Sequence, residues 1–178
     1  AFGFYSISYN AAGNINTAIG ALSLHKNTTG SNNSAIGQFT LRNNTEGNQN
    51  TAVGQAALLD NTVGTQNVAC GAYALYQNTT GDVNTAFGAF SLYSNTTGEY
   101  NVALGPAVLY SNITGEGNIA SGYSAMYYNT SGNNNIACGY RSLLFNTTGN
   151  SNIAIGTHAL FKNTHRSHLV AIGDSALH

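Results

Sequence analysis

Asp82, Glu99 and Glu116 stand 17 residues apart, one after another. Carboxylates gathered on one edge could supply the oxygen ligands that a hard cation such as Ca²⁺ requires; without an ion they form a solvated acidic edge. Tyr76, Tyr93, Tyr110 and Tyr127 keep the same interval. Such a row could stack on sugars, or the rings could stabilise neighbouring strands by lying against one another. Asn27, Asn78, Asn95, Asn112, Asn129 and Asn146, with Asn32 and Asn43, open N-x-S/T triplets, the acceptor pattern for glycosylation of a secreted chain; Asn10, Asn44, Asn61 and Asn163 keep the same interval without the triplet, which favours Asn there for its shape and amide. Cys70 and Cys138 lie four intervals apart. His158, His165, His168 and His178 crowd the C-terminal end but fall at different points of the interval, which argues against a metal centre. No nucleophile recurs with a paired base, and the glycines lack phosphate-loop spacing. The expectation is a protein that is not an enzyme and needs no cofactor.

The interval belongs to the whole chain, and internal repetition outranks every local signal. Gly recurs every 17 residues from Gly3 to Gly173, with Ala two residues before each. A second Gly column runs from Gly13 to Gly149, a Leu column from Leu24 to Leu177 with Met126 inside it, and Asn columns from Asn10 to Asn163 and from Asn16 to Asn152. Seventeen residues are too few for the two helices of a helical repeat, which needs about 34, and they suit one coil of a β-solenoid. The chain is therefore expected to be all-β: a parallel β-roll with one 17-residue coil per repeat and about ten and a half coils, residues 1–178 forming a single repeat array. At about 4.8 Å per coil it would be a rod roughly 50 Å long. Because Ala1 and His178 both fall in mid-repeat, we expect a fragment of a longer fibre, continued end to end.

Alternation predicts a first strand at Asn16–Gly20 and a second at Leu22–His25, with Gly and Asn at the corners. Positive φ at the glycines and an amide ladder of stacked Asn side chains are expected there. Only one face of a thin coil is inside, and large side chains should meet small ones there. This places Ala18, Gly20 and Leu24 inside, with Ala86, Gly88 and Leu92 as their equivalents. Ile19, Ile36, Val53, Phe87, Leu104, Ile155 and Ile172 then face out as an oligomer face, beside Val68, Val102, Ile119, Ile136, Ile153 and Val170. The opposite assignment, Ile19 inside and Ala18 outside, also satisfies the alternation. Cys70 and Cys138 share the Ile19 column, about 19 Å apart at four coil spacings, too far for a disulfide; both read as small hydrophobes.

Charged residues make up only 6% of the chain and the net charge is −1, so no electrostatic case exists for nucleic acid or an anionic membrane. No apolar run reaches the roughly 18 residues of a membrane span. The 42% of hydrophobic residues recur at fixed spacing, which argues for order over a disordered polar tract.

The segments Asn16-Thr-Ala-Ile-Gly20, Asn135-Ile-Ala-Cys-Gly139 and Asn152-Ile-Ala-Ile-Gly156 resemble the N-x-A-I-G strand of trimeric autotransporter adhesin heads, which are left-handed parallel β-rolls built as homotrimers. The full unit, as in Asn84–Gly98, is more similar to the 17-residue repeat tracts of bacterial and phage tail-fibre-type proteins, which often end in a self-cleaving chaperone domain. The resemblance covers the whole chain. It departs from the adhesin head in period, which is shorter there, and the extra residues fall in the Asn-Thr-Thr-Gly corner. The resemblance implies a structural shaft or head segment of an extracellular, cell-surface or virion fibre. It also implies a homo-oligomer, three chains by the adhesin precedent, with surface glycans or matrix as further partners. A different class is a solenoid that binds carbohydrate or ice. Ice binders array Thr on a strand as T-x-T, whereas Thr28-Thr29 and Thr79-Thr80 are adjacent and fall in a corner.

Overall fold

Thr17-Ala18-Ile19 is extended because two β-branched residues flank one small one, a combination that suits a pleated surface with one crowded face. A triplet centred on Ala recurs in every coil, with a β-branched residue on at least one side. The computed structural model, which describes residues 1–178, contains β1 (Thr17–Ile19), β2 (Ser34–Ile36), β3 (Thr51–Val53), β4 (Val68–Cys70) and β5 (Thr85–Phe87). It continues with β6 (Val102–Leu104), β7 (Ile119–Ser121), β8 (Ile136–Cys138), β9 (Ile153–Ile155) and β10 (Val170–Ile172), and there is no helix. All ten strands form one parallel sheet in chain order. Each pairs with the next at a shift of one repeat, Ala18 against Ala35 and Ala35 against Ala52. The expected all-β solenoid with one coil per repeat is the observed fold.

Its hydrogen bonding extends beyond the sheet. Of 118 backbone hydrogen bonds, 100 lie outside the strands; coil bonds to coil around most of the perimeter. The Asn-Thr-Thr-Gly corner shows how: the N–H groups of Thr28, Thr29 and Gly30 and the hydroxyl of Thr28 all donate to the carbonyl of Thr45, one coil on.

The second expected strand, Leu22–His25, is not one. Leu22 and Leu24 have φ of 58° and 48°, so the segment turns instead of extending. The amide of Ser23 donates to the Gly20 carbonyl, and that of Asn27 to the Leu24 carbonyl. A left-handed Leu costs roughly 1–2 kcal/mol. Burying its side chain returns about 2–3 kcal/mol, and Leu24 is wholly buried. The turn therefore survives in every coil because it aims this Leu inward.

The interior follows the volume argument at two of its three columns. The columns through Ala18 and Leu24, with Ala86 and Leu92 among them, have no solvent exposure along most of the rod. A third inward column of small residues, including Ser23, Ala57, Ala74, Ser91 and Ala125, was not read from the sequence. Gly20 and Gly88, expected inside, are corrected to the rim: both are half-buried. The alternation stops at Ile19 because the chain bends at Gly20. Gly88 has φ of +131°, and a Cβ there would lie 2.5 Å from the carbonyl of Gly105. The second Gly column is Gly for another reason. Gly98 does not have positive φ; a Cβ would lie 2.5 Å from Oδ1 of Asn95.

Candidate functional site

Two Asn columns build the corners from within. Nδ2 of Asn95 donates to Oδ1 of Asn78 at 2.8 Å and to the Gly98 carbonyl at 2.9 Å, and its own Oδ1 accepts from Asn112. The second column works alike: Nδ2 of Asn101 donates to Oδ1 of Asn84 and to the Gly115 carbonyl, while the Asn101 amide also donates to that Oδ1. The expected amide ladder is present twice. It also corrects the glycosylation reading. Asn27, Asn78, Asn95, Asn112, Asn129 and Asn146 are all wholly buried, and every Nδ2 is already donating. A glycosyltransferase cannot reach these nitrogens in the folded rod. The triplet alone carried no information on burial.

Asp82, Glu99 and Glu116 do share one edge, but they do not form a cage. Oδ1 of Asp82 accepts from the amide and the hydroxyl of Thr65 at 2.6 and 3.1 Å. Short acceptors fill this column elsewhere, as where the Glu116 amide donates to Oδ1 of Asn133. The column thus tethers one coil to the next. No group of three His, Cys, Asp or Glu side chains is placed to hold a metal ion, the C-terminal histidines included; there the His158 ring lies edge-on to Tyr140 and Phe161. Chelator is expected to leave the melting temperature within about 1 °C of its original value, since an ion that binds only the folded state stabilises it by mass action. A drop of several degrees would restore the cation site.

The tyrosine column is a face-to-face stack. Ring centroids of Tyr76, Tyr93, Tyr110 and Tyr127 are 5.1, 5.0 and 4.9 Å apart, with planes within 5°. Burial, then the neighbouring phenols, push the Tyr93 and Tyr127 hydroxyls above the usual tyrosine pKa. Sugar stacking needs an open ring face, and rings 5 Å apart leave no space for a sugar between them. The geometry supports the stabilising reading of this column. The sequence reading missed its extent. Tyr73 stacks on Phe90 beside it, and Tyr128 on Phe145. Ring contacts then run on through Phe161 to His178.

The remaining surface is the outside of the sheet. In β1 to β10 the central Ala is buried and both flanking residues point out. Ile19, Ile36, Phe87, Leu104 and Ile155 are 40–45% exposed, Ile172 is 69% exposed and Val53 half-buried. The assignment with Ile19 inside is therefore excluded. Cys70 and Cys138 are free and lie on this strip, as expected of small apolar residues in the Ile column. No helix is long and apolar enough to cross a membrane.

A coil of parallel strands repeated in strict register defines a β-solenoid repeat protein, and the chain belongs to that class. Compared with family models, curated proteins and solved structures, it matches none.

Proposed function

We propose that this chain is a structural segment of an extracellular fibre, adhesin-like or tail-fibre-like, that works as a homo-oligomer and performs no catalysis. One observation carries the reading: the outer face of the ten-stranded sheet bears an exposed, largely apolar row from Ile19 to Ile172, interrupted at Ser121, about 45 Å long at the coil spacing. Soluble monomers rarely expose such a strip. A second copy of the same solenoid is its natural cover, because it offers side chains at the same axial interval. Three copies around a common axis is the number the adhesin resemblance implies, and a cell or virion surface is where such a fibre works. The test is molar mass by light scattering at micromolar concentration. The expected mass is three times 18.5 kDa. Ile155→Glu should raise the dissociation constant about a hundredfold, since like charges brought together across an interface cost several kcal/mol, while the coil's circular dichroism stays unchanged. A well-folded wild-type monomer would refute the assembly.

A further inference from the structure

The outer strip is not uniform along the rod. Its second row, through Ile19 and Ile155, is mostly apolar from end to end. Its first row changes character at the middle. In β1 to β5 that position holds Thr17, Ser34, Thr51, Val68 and Thr85; in β6 to β10 it holds Val102, Ile119, Ile136, Ile153 and Val170. The N-terminal half therefore sets four hydroxyls and Val68 beside a mostly apolar row, and the C-terminal half sets five aliphatic side chains beside Leu104, Ser121, Cys138, Ile155 and Ile172. Ile119 and Ile136 are 48% and 37% exposed, so these side chains stand free on the surface.

The hydroxyls of Thr17, Ser34, Thr51 and Thr85 take no part in the hydrogen bonds within the chain, whereas those of Thr28, Thr45 and Thr62 donate to the next coil. The strip's hydroxyls depend on water. Covering them with an apolar partner would strip that water and return no bond. Covering the β6–β10 half meets one such hydroxyl, that of Ser121, against four in the other half, and the gain scales with apolar area.

We infer that self-association is confined to the β6–β10 half of the sheet, where a second copy of this chain packs the aliphatic row from Val102 to Val170 and its largely apolar neighbour against the same strip, while the β1–β5 half stays hydrated. The inference rests on the self-association proposed above and adds its location. It also fixes a preference of direction. Full overlap of two antiparallel rods would set each hydroxyl half against an aliphatic half. Parallel rods match like with like at every coil, since all coils share one spacing.

The test compares three variants of the full chain by sedimentation equilibrium: Ile119→Thr with Ile136→Thr and Ile153→Thr; Ile19→Thr with Ile36→Thr and Val53→Thr; and Thr51→Val with Thr85→Val. All sites lie on the outer face, so the core and the bonds between coils are retained, and circular dichroism verifies this. Three buried aliphatic groups are each worth roughly a factor of ten, so the first variant should weaken association at least a hundredfold. The second should weaken it less than tenfold. The third extends the aliphatic surface and should tighten association about tenfold. Equal losses from the first two variants would overturn the location, and so would an unchanged affinity in the third, which does not depend on how the others fold. A wild-type chain that stays monomeric would instead remove the proposed assembly itself.

Discussion

Leu92→Asp is expected to unfold the coils around it. Leu92 has no solvent exposure, and the interior is a single layer in which the Leu column faces Ala across the coil. A carboxylate there meets Leu75, Leu109 and alanines, with no donor to accept from. Burying an unpaired charge belongs to the few mechanisms that exceed about 4 kcal/mol. For a chain of this size, 1 kcal/mol moves the melting temperature by about 2–4 °C. The variant should therefore melt at least about 10 °C below wild type by circular dichroism, if it folds at all. Leu92→Met is the matched control: Met126 already occupies the same column, and such swaps cost under about 1.5 kcal/mol. A wild-type melting curve for Leu92→Asp would show that the Leu column is not the interior.

Asn95→Asp should be nearly as damaging, and in a way that depends on pH. The wild-type amide donates twice, to Asn78 and to the Gly98 carbonyl, and accepts once. A carboxylate at the same place would aim an oxygen at two acceptors. A protonated carboxyl serves one of them. The folded variant therefore holds its proton more tightly than the unfolded chain, whose carboxyl titrates near about 3.9. With the folded pKa raised, the variant keeps its stability below that value and loses it as pH rises toward the folded pKa. We expect a fall in melting temperature of at least about 10 °C at pH 7 and a partial recovery near pH 3.5. The wild type has only six Asp and Glu in all, so its own melting should change little across that range. A loss independent of pH would mean that the second hydrogen bond, and not the proton, decides the outcome.

The contrast between those two sites and the others shows what the sequence can carry. Period, chain order of the strands and the inward Leu and Ala columns follow from spacing and side-chain volume, because a coil of 17 residues has room for one Leu only opposite something small. The turn at Leu22 and Leu24 was hidden. Leucine does not announce a left-handed backbone, and its place there is decided by packing with the rest of the coil, not by local preference. Gly20 looked like a continuation of the strand because it preserves the alternation; only the bend at its carbonyl shows that it lies at the rim. The six triplets of the buried column fail as glycan acceptors for a related reason. A triplet describes what an enzyme could recognise in an extended chain, while burial of Asn27 or Asn146 is set by neighbours one coil away. The change of the outer row from Thr and Ser to Val and Ile is plainly written, but it acquires meaning only once both outward rows of the sheet are known to face solvent.

The carboxamides also share a direction. In the column from Asn10 to Asn163, each Nδ2 points to the coil before it and each Oδ1 to the coil after. The column from Asn16 to Asn152 is oriented the same way. Each amide is held in that sense by a backbone carbonyl beside it, such as that of Gly98 for Asn95. Reversing one would set oxygen against oxygen on one side and N–H against N–H on the other, so a column can invert only as a whole. The side-chain dipoles add along each column as peptide dipoles add along a helix. Each Asn column is thereby a ferroelectric thread within the rod, its N–H ends toward Ala1 and its oxygens toward His178, while backbone N–H groups such as those of Thr28, Thr29 and Gly30 point the opposite way.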